Sequence, residues 1–443
     1  MDHITLFGMS HTYARVGGAK PRRKVTLPRL ATARDRSEEH LEDHGNLRLQ
    51  KHAIPDIRPG IALIFVPYVH TLGGVERLIL TLSEYLYREA QPHVLVCFND
   101  TVGLSSHAQW PLEVQQLRPS RHWLSESWCF SRFLRKMELR LRGKVLAFDL
   151  KSAHYCSFFP IPDFILHVDD PPSLLPRDIT KFAPSARRRW PPFKTAPSHG
   201  ALQQCRAELV YRMIRQGAKR AHTVVVTTDA SAQEVQGLFD VKSQIVRLGV
   251  RSSRVRGPRP QLRNGSFSFL SVGRLESNKR VDWILRALAI LEAAPSSLSS
   301  NINWRLDLVG EGGERLKLAA LVKELGLEHR TFFHGFVSEQ KLEMLYQEAG
   351  VVLMPAIQGY GIPALEALVR GVPVVLHKQS GASEVLGHNP WAMIVEDGIT
   401  ELASGISRMV SCIRSGELFR SPPPQIRSDE EWAASISRLC GWC

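Results

Sequence analysis

Short apolar runs alternate with amphipathic helical patterns along most of this chain. Residues 61–66, 93–98 and 223–228 are apolar runs of strand length, and apolar side chains recur at helical spacing through residues 75–86. A continuous apolar run is typical of a strand that is buried on both faces. The alternation of such strands with helices predicts an α/β protein that is built on parallel sheets.

The same alternation returns in the second half of the chain. Apolar runs predict strands at residues 267–272, 305–309, 331–333 and 351–354. Helical patterns fall between them, and Ser338 is the expected N-cap of the helix that ends at residue 348. We therefore predict two domains of the same class.

Composition and periodicity divide the chain into five segments. Residues 1–58 are rich in Arg, Lys, His and Glu, and they predict a poorly ordered basic extension. Residues 251–266 are rich in Arg, Pro, Gly and Ser and predict a linker. The domains are then expected at residues 59–250 and 267–425, and residues 426–443 are expected to form a helix that packs back toward the first domain.

The stretch QGYGIPALEALVRGVPVV, from residue 358 to 375, has the features of a ligand-binding corner. A loop with two glycines leaves a predicted strand, Pro363 suits the first turn of a helix, and Gly371 suits its end. Glu366 is expected within the first turn or so, where a carboxylate is favoured and can accept two hydroxyl hydrogen bonds. A ribose diol is a natural partner, although an ordinary solvent-facing glutamate explains the same pattern.

Three further places fit a crevice at the carboxyl ends of the strands. Gly73 and Gly74 lie between a strand and a helix, where free N–H groups favour a phosphate or carboxylate. Asp169 ends a predicted strand and points into the crevice, unless it belongs to a plain turn. Arg274 and Lys279 flank a strand-to-helix loop and suit a diphosphate, although exposed cations are also common.

Composition limits the functional classes. The 443 residues carry a net charge of +14, with pI ≈ 9.6, and no apolar run approaches the roughly 20 residues of a membrane span. The amino terminus lacks the pattern of a secretory signal. Seven scattered cysteines fit a reducing compartment, so we predict a cytoplasmic protein, and the CxxC at Cys440 and Cys443 is treated as coincidence.

The positive charge leaves three kinds of anionic partner. An anionic substrate and a peripheral contact with an anionic membrane are both compatible with it. Residues 186–194 interleave basic and aromatic side chains, but we interpret them as a solvated loop. A nucleic-acid partner is not predicted, because the charge is spread along the chain and no recognisable module is present.

Five segments together resemble one known family. They are GGVERL at 73–78, VGRLESNKRVD at 272–282, LVGEGGERLKL at 308–318, HGFVSEQKLEMLYQEA at 334–349, and the stretch at 358–375. In order and spacing they resemble the GT-B-fold retaining glycosyltransferases of family 4. The resemblance covers roughly residues 61–440.

The resemblance implies two Rossmann-like domains that face each other across a cleft. The second domain would bind the nucleotide-sugar, a GDP- or UDP-hexose, and the first would bind the acceptor. Arg274 and Lys279 would hold the leaving diphosphate, Glu366 the ribose, and no metal would be required. Backbone at five further positions and two glycines would complete the donor site, namely Phe336, Val337, Tyr360, Gly361, Ile362, Gly73 and Gly74.

Two positions depart from the family pattern. Gln358 stands where the family has an acid near the donor sugar, and Asp169 stands where many members have a histidine; both are predicted catalytic positions. A glutamine can hydrogen-bond sugar hydroxyls but cannot offer negative charge to a developing cationic sugar.

The resulting hypothesis is a retaining hexosyltransferase of polysaccharide biosynthesis, of mannose or glucose type. Its acceptor would be a glycan or a lipid-linked sugar, at the inner face of a membrane. The alternative is a catalytically silent GT-B protein that binds nucleotide-sugar or a partner enzyme. A GT-B epimerase or phosphorylase is a third interpretation. The sequence has no lysine motif of the kind that a phosphorylase uses for pyridoxal phosphate, which argues against it.

Overall fold

A computed structural model provides the structure of the chain. It describes residues 60–70, 73–120, 122–174, 179–190, 200–251, 266–293, 303–357, 359–387 and 389–443. The predicted basic extension lies outside the described residues, and so does the predicted linker apart from its two end residues. Gln358 also lies outside them.

The first half of the chain forms a parallel sheet covered by helices. Its strands are β1 (Ala62–Phe65), β2 (Tyr68–Val69), β3 (His93–Cys97), β4 (Asn99–Asp100), β5 (Glu113–Gln116), β6 (Val145–Phe148), β7 (Phe164–Val168), β8 (Thr223–Val226) and β9 (Ser243–Ile245). Its helices are α1 (Gly74–Arg88), α2 (Trp123–Met137), α3 (Asp149–Tyr155), α4 (Pro184–Arg189), α5 (Ala201–Arg220) and α6 (Asp229–Phe239). Seven strands make one sheet in the order β5-β3-β1-β6-β7-β8-β9, and β2 pairs with β4.

The second half repeats this architecture. Its strands are β10 (Ser266–Val272), β11 (Asn303–Val309), β12 (Thr331–Gly335), β13 (Val351–Met354), β14 (Val374–His377) and β15 (Ala392–Val395). Its helices are α7 (Val281–Ala293), α8 (Arg315–Glu324), α9 (Glu339–Glu348), α10 (Ile362–Val369), α11 (Gly381–Leu386) and α12 (Ile399–Arg414), and α13 (Asp429–Cys440) follows. The six strands are parallel, in the order β12-β11-β10-β13-β14-β15.

Both sheets have a topological switch point, where the strand order reverses. It lies between β1 and β6 in the first sheet and between β10 and β13 in the second. Open α/β sheets bind ligands at such points, outside the carboxyl ends of the strands. The predicted fold of two Rossmann-like sheets is confirmed.

Burial explains why most elements were predictable. Strand β13 is buried along its whole length, as its four apolar residues predict, and Ser338 caps α9 by accepting a hydrogen bond from the Lys341 N–H. Strand β5 was not predicted, because three of its four residues are exposed and the segment is polar.

The last helix packs on the first domain. Helix α13 lies against α1, and the Trp442 indole N–H donates to the Lys144 carbonyl at 3.0 Å. The Lys144 N–H in turn donates to the Cys440 carbonyl at 2.7 Å. Gly143 has a φ of +62°, and a Cβ there would lie 2.0 Å from the same carbonyl, so only glycine fits this turn. Trp442 is fully buried as a result.

Polar contacts join the two sheets on one side of the gap between them. The Glu384 carboxylate of α11 accepts the first N–H groups of α6, from Asp229 at 2.8 Å and Ala230 at 3.1 Å. Arg247 pairs with both Glu384 and Asp229. A carboxylate at a helix N-terminus satisfies N–H groups that have no partner within the helix. The second domain therefore caps a helix of the first.

Candidate functional site

Two cations lie at the switch point of the second sheet. Arg274 lies two residues after the end of β10, and Lys279 lies in the short 3₁₀ turn Ser277–Lys279 that precedes α7. A hollow beside them is lined by residues from the ends of both β10 and β13, including Gly273, Met354 and Ala356. The structure thus brings the predicted diphosphate-binding pair together at one strand end.

Lys279 and Arg274 differ in their surroundings. Arg274 is half-exposed and its guanidinium lies 2.9 Å from the Glu276 carboxylate. Burial lowers the pKa of Lys279, and the nearby Asp170 carboxylate acts in the opposite direction. A partly desolvated ammonium gains more from an incoming phosphate than a solvated one does. The next residue, Arg280, faces elsewhere, since it pairs with Asp397 at 2.8 Å.

The corner after β13 has the predicted form with one correction. Gly361 adopts a left-handed φ of +87° at the N-cap of α10, and Pro363 occupies its first turn. Glu366 is the fifth residue of this helix, so it lies in the second turn and not in the first. The helix dipole therefore contributes less to the Glu366 carboxylate than we expected, because that effect fades beyond the first turn.

Glu366 is held by the helix beside it and faces the other domain. Its Oε2 accepts a hydrogen bond of 2.9 Å from the hydroxyl of Tyr346, which is fully buried on α9. Its Oε1 lies 3.9 Å from the Arg77 guanidinium of α1. One carboxylate oxygen is thus fixed by the domain, and the other lies in the gap where a ligand hydroxyl could donate to it.

The first turn of α1 links the cations and Glu366. The charge of Arg274 acts on the Glu76 carboxylate, and the next residue, Arg77, pairs with Glu366. Because Glu76 and Arg77 are neighbours, Arg274 and Glu366 face the same helix end across the gap. Arg274 is half-exposed but lies close enough to α1 for its charge to act on Glu76, and Lys279 lies close enough to Asp170 for their charges to interact. The two cations and Glu366 therefore lie on the side of the second domain that faces the first.

The glycine loop before α1 is only partly as expected. Gly73 is the N-cap of α1, and its N–H donates to Glu76 Oε2 at 2.9 Å, although a glycine N-cap has no side chain to return a hydrogen bond to the helix. That N–H is therefore already bound within the protein, contrary to the expectation of a free donor. Burial raises the pKa of Glu76. A Cβ added to Gly74 would meet no heavy atom within 4 Å, so open space lies beside this glycine.

Acidic side chains line the opposite wall, at the carboxyl ends of β6 and β7. Asp169 and Asp170 follow β7, and Asp149 follows β6 with a left-handed φ of +69°. Burial raises the pKa of Asp170 to about 6, and the charge of Asp169 acts in the same direction. Asp170 keeps solvent-accessible surface although protein surrounds it on most sides, as expected of a side chain in a narrow cleft.

Asp170 also contacts the second domain. It accepts the Gly359 N–H, and a Cβ at Gly359 would lie 1.8 Å from its Oδ1. Only glycine permits the two walls to approach this closely. Tyr360 supports the same place, since its hydroxyl donates to the Leu248 carbonyl of the first domain at 3.0 Å.

The position where the family has a histidine is occupied by an acid with a histidine behind it. His167 is fully buried, and its Nδ1 lies 3.1 Å from Asp169 Oδ1, in a geometry too bent for a hydrogen bond. The Thr227 hydroxyl donates to the Asp169 carbonyl at 3.1 Å. Asp169 is thus placed at the cleft by its own strand end and by a neighbouring loop.

The remaining predicted positions lie in the second domain. Phe336 is 79% exposed in the loop after β12, and Val337 is half-buried beside it. Ile362 is the first residue of α10. Gln358 precedes Gly359, outside the described residues, so its predicted role is carried by sequence alone.

Sequence reasoning missed four residues of the cleft: Arg77, Tyr346, Asp149 and Gly359 as a contact of Asp170. Arg77 and Tyr346 resemble ordinary helix residues until the partner helix is known. Asp149 offered one signal, its position immediately after an apolar run. Among the described residues, no group of three or more His, Cys, Asp and Glu is arranged to hold a metal ion.

Comparison with known proteins gives matches of two kinds. The family model of glycosyl transferases group 1 matches residues 258–416. An uncharacterized glycosyltransferase of Methanocaldococcus jannaschii is 33% identical over 144 residues, which cover 32% of this chain and 35% of that protein. The lipopolysaccharide 1,6-galactosyltransferase of Salmonella typhimurium is 27% identical over 198 residues, which cover 42% and 47%. The chain thus spans less than half the length of these relatives.

The structural likeness is more extensive than the sequence likeness. The Anabaena HepE structure in complex with UDP and glucose has a TM-score of 0.61 and 19% sequence identity, and the match covers 85% of this chain and 98% of that one. At this identity the likeness establishes the fold, which both halves of the chain share.

Proposed function

Because this chain belongs to the glycosyl transferases group 1 family and has the GT-B fold, we propose that it is a glycosyltransferase. It moves a hexose from a nucleotide-sugar to a glycan or lipid-linked acceptor, with retention of configuration. The observation that supports this proposal is the arrangement of one cleft wall. Arg274 and Lys279 lie at the switch point of the second sheet, and Glu366 faces the same end of helix α1 as Arg274 does.

The cation pair suits the departing diphosphate. Two positive charges next to the β10 strand end would stabilise the charge that develops on the leaving group, which is commonly the largest single contribution to catalysis. Lys279 is partly desolvated, so its attraction to phosphate is stronger than in open solvent. Glu366 would accept a ribose hydroxyl through Oε1, since Tyr346 already occupies Oε2.

The first domain supplies the other side of the reaction. Asp169 and Asp170 line the wall that faces the cations, where an acceptor hydroxyl would approach the sugar. From the sequence alone, Gln358 is proposed to hydrogen-bond the donor sugar. Two comparisons support the donor and the pathway: HepE binds UDP with glucose, and the Salmonella relative is a lipopolysaccharide galactosyltransferase. We take a UDP-hexose donor and a role in polysaccharide biosynthesis as the first assignment to test.

Calorimetric titration tests the donor site directly. UDP and GDP are titrated into the wild type, Arg274→Ala and Lys279→Ala, with Arg286→Ala as the matched control, because Arg286 is an exposed cation of α7. Each site variant is expected to lose roughly 1.5–3 kcal/mol of affinity, as for hydrogen bonds to charged groups. Unchanged affinity in both site variants would refute the assignment of the cations.

Turnover is tested separately from binding. Wild type and Gln358→Glu are incubated with UDP-glucose, UDP-galactose and GDP-mannose, and release of nucleoside diphosphate is followed. Release by the wild type supports the transferase. Binding of nucleotide without release by either protein would instead favour a catalytically silent protein.

A further inference from the structure

One face of helix α2 exposes large apolar side chains next to basic side chains. Leu124 and Trp128 are 43% and 42% exposed, and Arg132 and Arg135 are exposed beside them. At 100° per residue these four positions fall within about 80° of the helix circumference. Leu139 continues the row in the 3₁₀ turn Glu138–Arg140 and is fully exposed.

A neighbouring loop adds to this face. The Ser131 hydroxyl of α2 donates to the Pro160 carbonyl at 2.5 Å, so residues 157–160 lie against the helix. Phe158 of this loop is 65% exposed. The loop is held from its other side by Arg220, which donates to the Ser157 and Phe159 carbonyls at 2.9 and 3.1 Å. The exposed phenyl ring therefore stands on a supported backbone.

We propose that this α2 face, formed by Leu124, Trp128, Arg132, Arg135, Leu139 and Phe158, docks the protein on an anionic lipid bilayer. Basic side chains beside exposed aromatic and leucine side chains are the composition of an interfacial helix. Each cation near an anionic surface contributes about 1 kcal/mol, and the apolar side chains enter the headgroup region.

Charge and chemistry distinguish this partner from others. Residues 122–140 carry the exposed cations Arg132, Arg135, Lys136 and Arg140 against one exposed acid, Glu138. The guanidinium of Arg132 lies 5.2 Å from the Trp128 ring centroid, so the cation and the ring share one surface. Nucleic acid would use the cations and the rings but has no use for exposed leucines. An anionic bilayer accepts all of them, because its headgroups pair with the cations and its acyl chains take up the apolar side chains.

The opposite side of α2 relates this surface to the cleft. Glu126 is buried and accepts the Tyr68 hydroxyl at 2.8 Å, and Tyr68 lies just beyond the carboxyl end of β1. The first turns of α2 thus lie at the edge of the sheet that borders the cleft. A bilayer on this face would lie close to the entrance.

Vesicle co-sedimentation of the full chain tests the proposal. Vesicles of phosphatidylcholine are compared with vesicles that contain about one third phosphatidylglycerol. One variant removes apolar contacts, Trp128→Ala with Leu139→Ser, and another reverses charge, Arg132→Glu with Arg135→Glu. The matched controls are Leu316→Ser and Arg408→Glu with Arg414→Glu, which alter exposed residues of the second domain. Thermal unfolding checks that every variant is folded.

The wild type is expected to bind the anionic vesicles and to be released at about 0.5 M salt. The charge variant should bind at least about 30-fold more weakly, since each lost cation costs about fivefold, and the apolar variant about tenfold. Equal losses in the controls, or full binding by the apolar variant, would reduce the effect to net charge and overturn the proposal. Tighter binding of RNA through the same residues would overturn it as well. The readout does not involve catalysis, so its failure leaves the proposed transferase untouched.

Discussion

Arg77 of the first domain and Glu366 of the second lie 3.9 Å apart across the cleft. The Arg77 side chain is 53% exposed and that of Glu366 is 20% exposed, so water screens the pair. Such pairs contribute about 0–1 kcal/mol to stability. The contact matters more for the geometry of the cleft, because it places Glu366, which we predict to bind the ribose, opposite the first turn of α1.

Arg77→Ala should therefore change little. We expect the free energy of unfolding to fall by less than about 1 kcal/mol and UDP affinity to weaken by less than about fivefold, because only the orientation of Glu366 is affected. Denaturant titration and calorimetry measure the two effects, with Arg77→Lys as the conservative control. A loss of affinity above tenfold would mean that Arg77 itself binds the nucleotide.

Replacement of Glu366 should act on ribose recognition. We expect the wild type to prefer UDP over 2′,3′-dideoxy-UDP, and we expect Glu366→Ala to weaken UDP binding by roughly 1.5–3 kcal/mol and to abolish that preference. Titration of both nucleotides into both proteins measures this. Glu339→Ala, an exposed acid at the start of α9, is the control. If Glu366→Ala kept the preference, the ribose would bind elsewhere.

The raised pKa of Asp170 predicts a pH-dependent stability. Its pKa is about 6 in the folded protein, above the usual value for an aspartate, so ionisation of Asp170 is less favourable in the folded state. Ionisation of Asp170 therefore lowers the free energy of unfolding as pH rises from about 4 through about 6. Above that range the destabilisation has reached its full size. Asp170→Asn, which can still accept the Gly359 N–H, should be more stable than wild type at pH 7.

Calorimetric melting at several pH values checks this sign. The difference in melting temperature between Asp170→Asn and wild type should shrink as pH falls from 7 to about 4.5. Asp163→Asn, whose side chain is 78% exposed, provides the control. If the difference in melting temperature grew as pH fell, the pKa of Asp170 would be lowered in the folded protein and not raised.

Two glycines of the cleft should respond differently to alanine. A Cβ at Gly359 would lie 1.8 Å from Asp170 Oδ1, so Gly359→Ala must move the walls apart. We expect about 1–3 kcal/mol of destabilisation, partly relieved by Asp170→Ala. Gly74→Ala meets open space and should leave the melting temperature nearly unchanged while it weakens donor binding. Equal destabilisation by both would contradict the close approach at Gly359.

The sequence was informative about the elements and less so about their contacts. Buried apolar runs such as β13 are visible without a structure because burial on both faces excludes polar residues. The exposed strand β5 lacks that constraint and was missed. Arg274, Lys279 and Glu366 could be proposed as binding residues from local motifs. The partners Arg77 and Tyr346 were not, because their roles depend on how two domains and two helices meet.

The return of α13 has a consequence for the order in which the protein folds. The indole of Trp442 fills a site next to Lys144, and 298 residues separate the two. During synthesis the first sheet must wait, with an apolar surface of α1 uncovered, until the whole second domain has left the ribosome. We infer that the amino-terminal half made alone would be prone to aggregation, and that a peptide of α13 supplied in trans would improve its recovery.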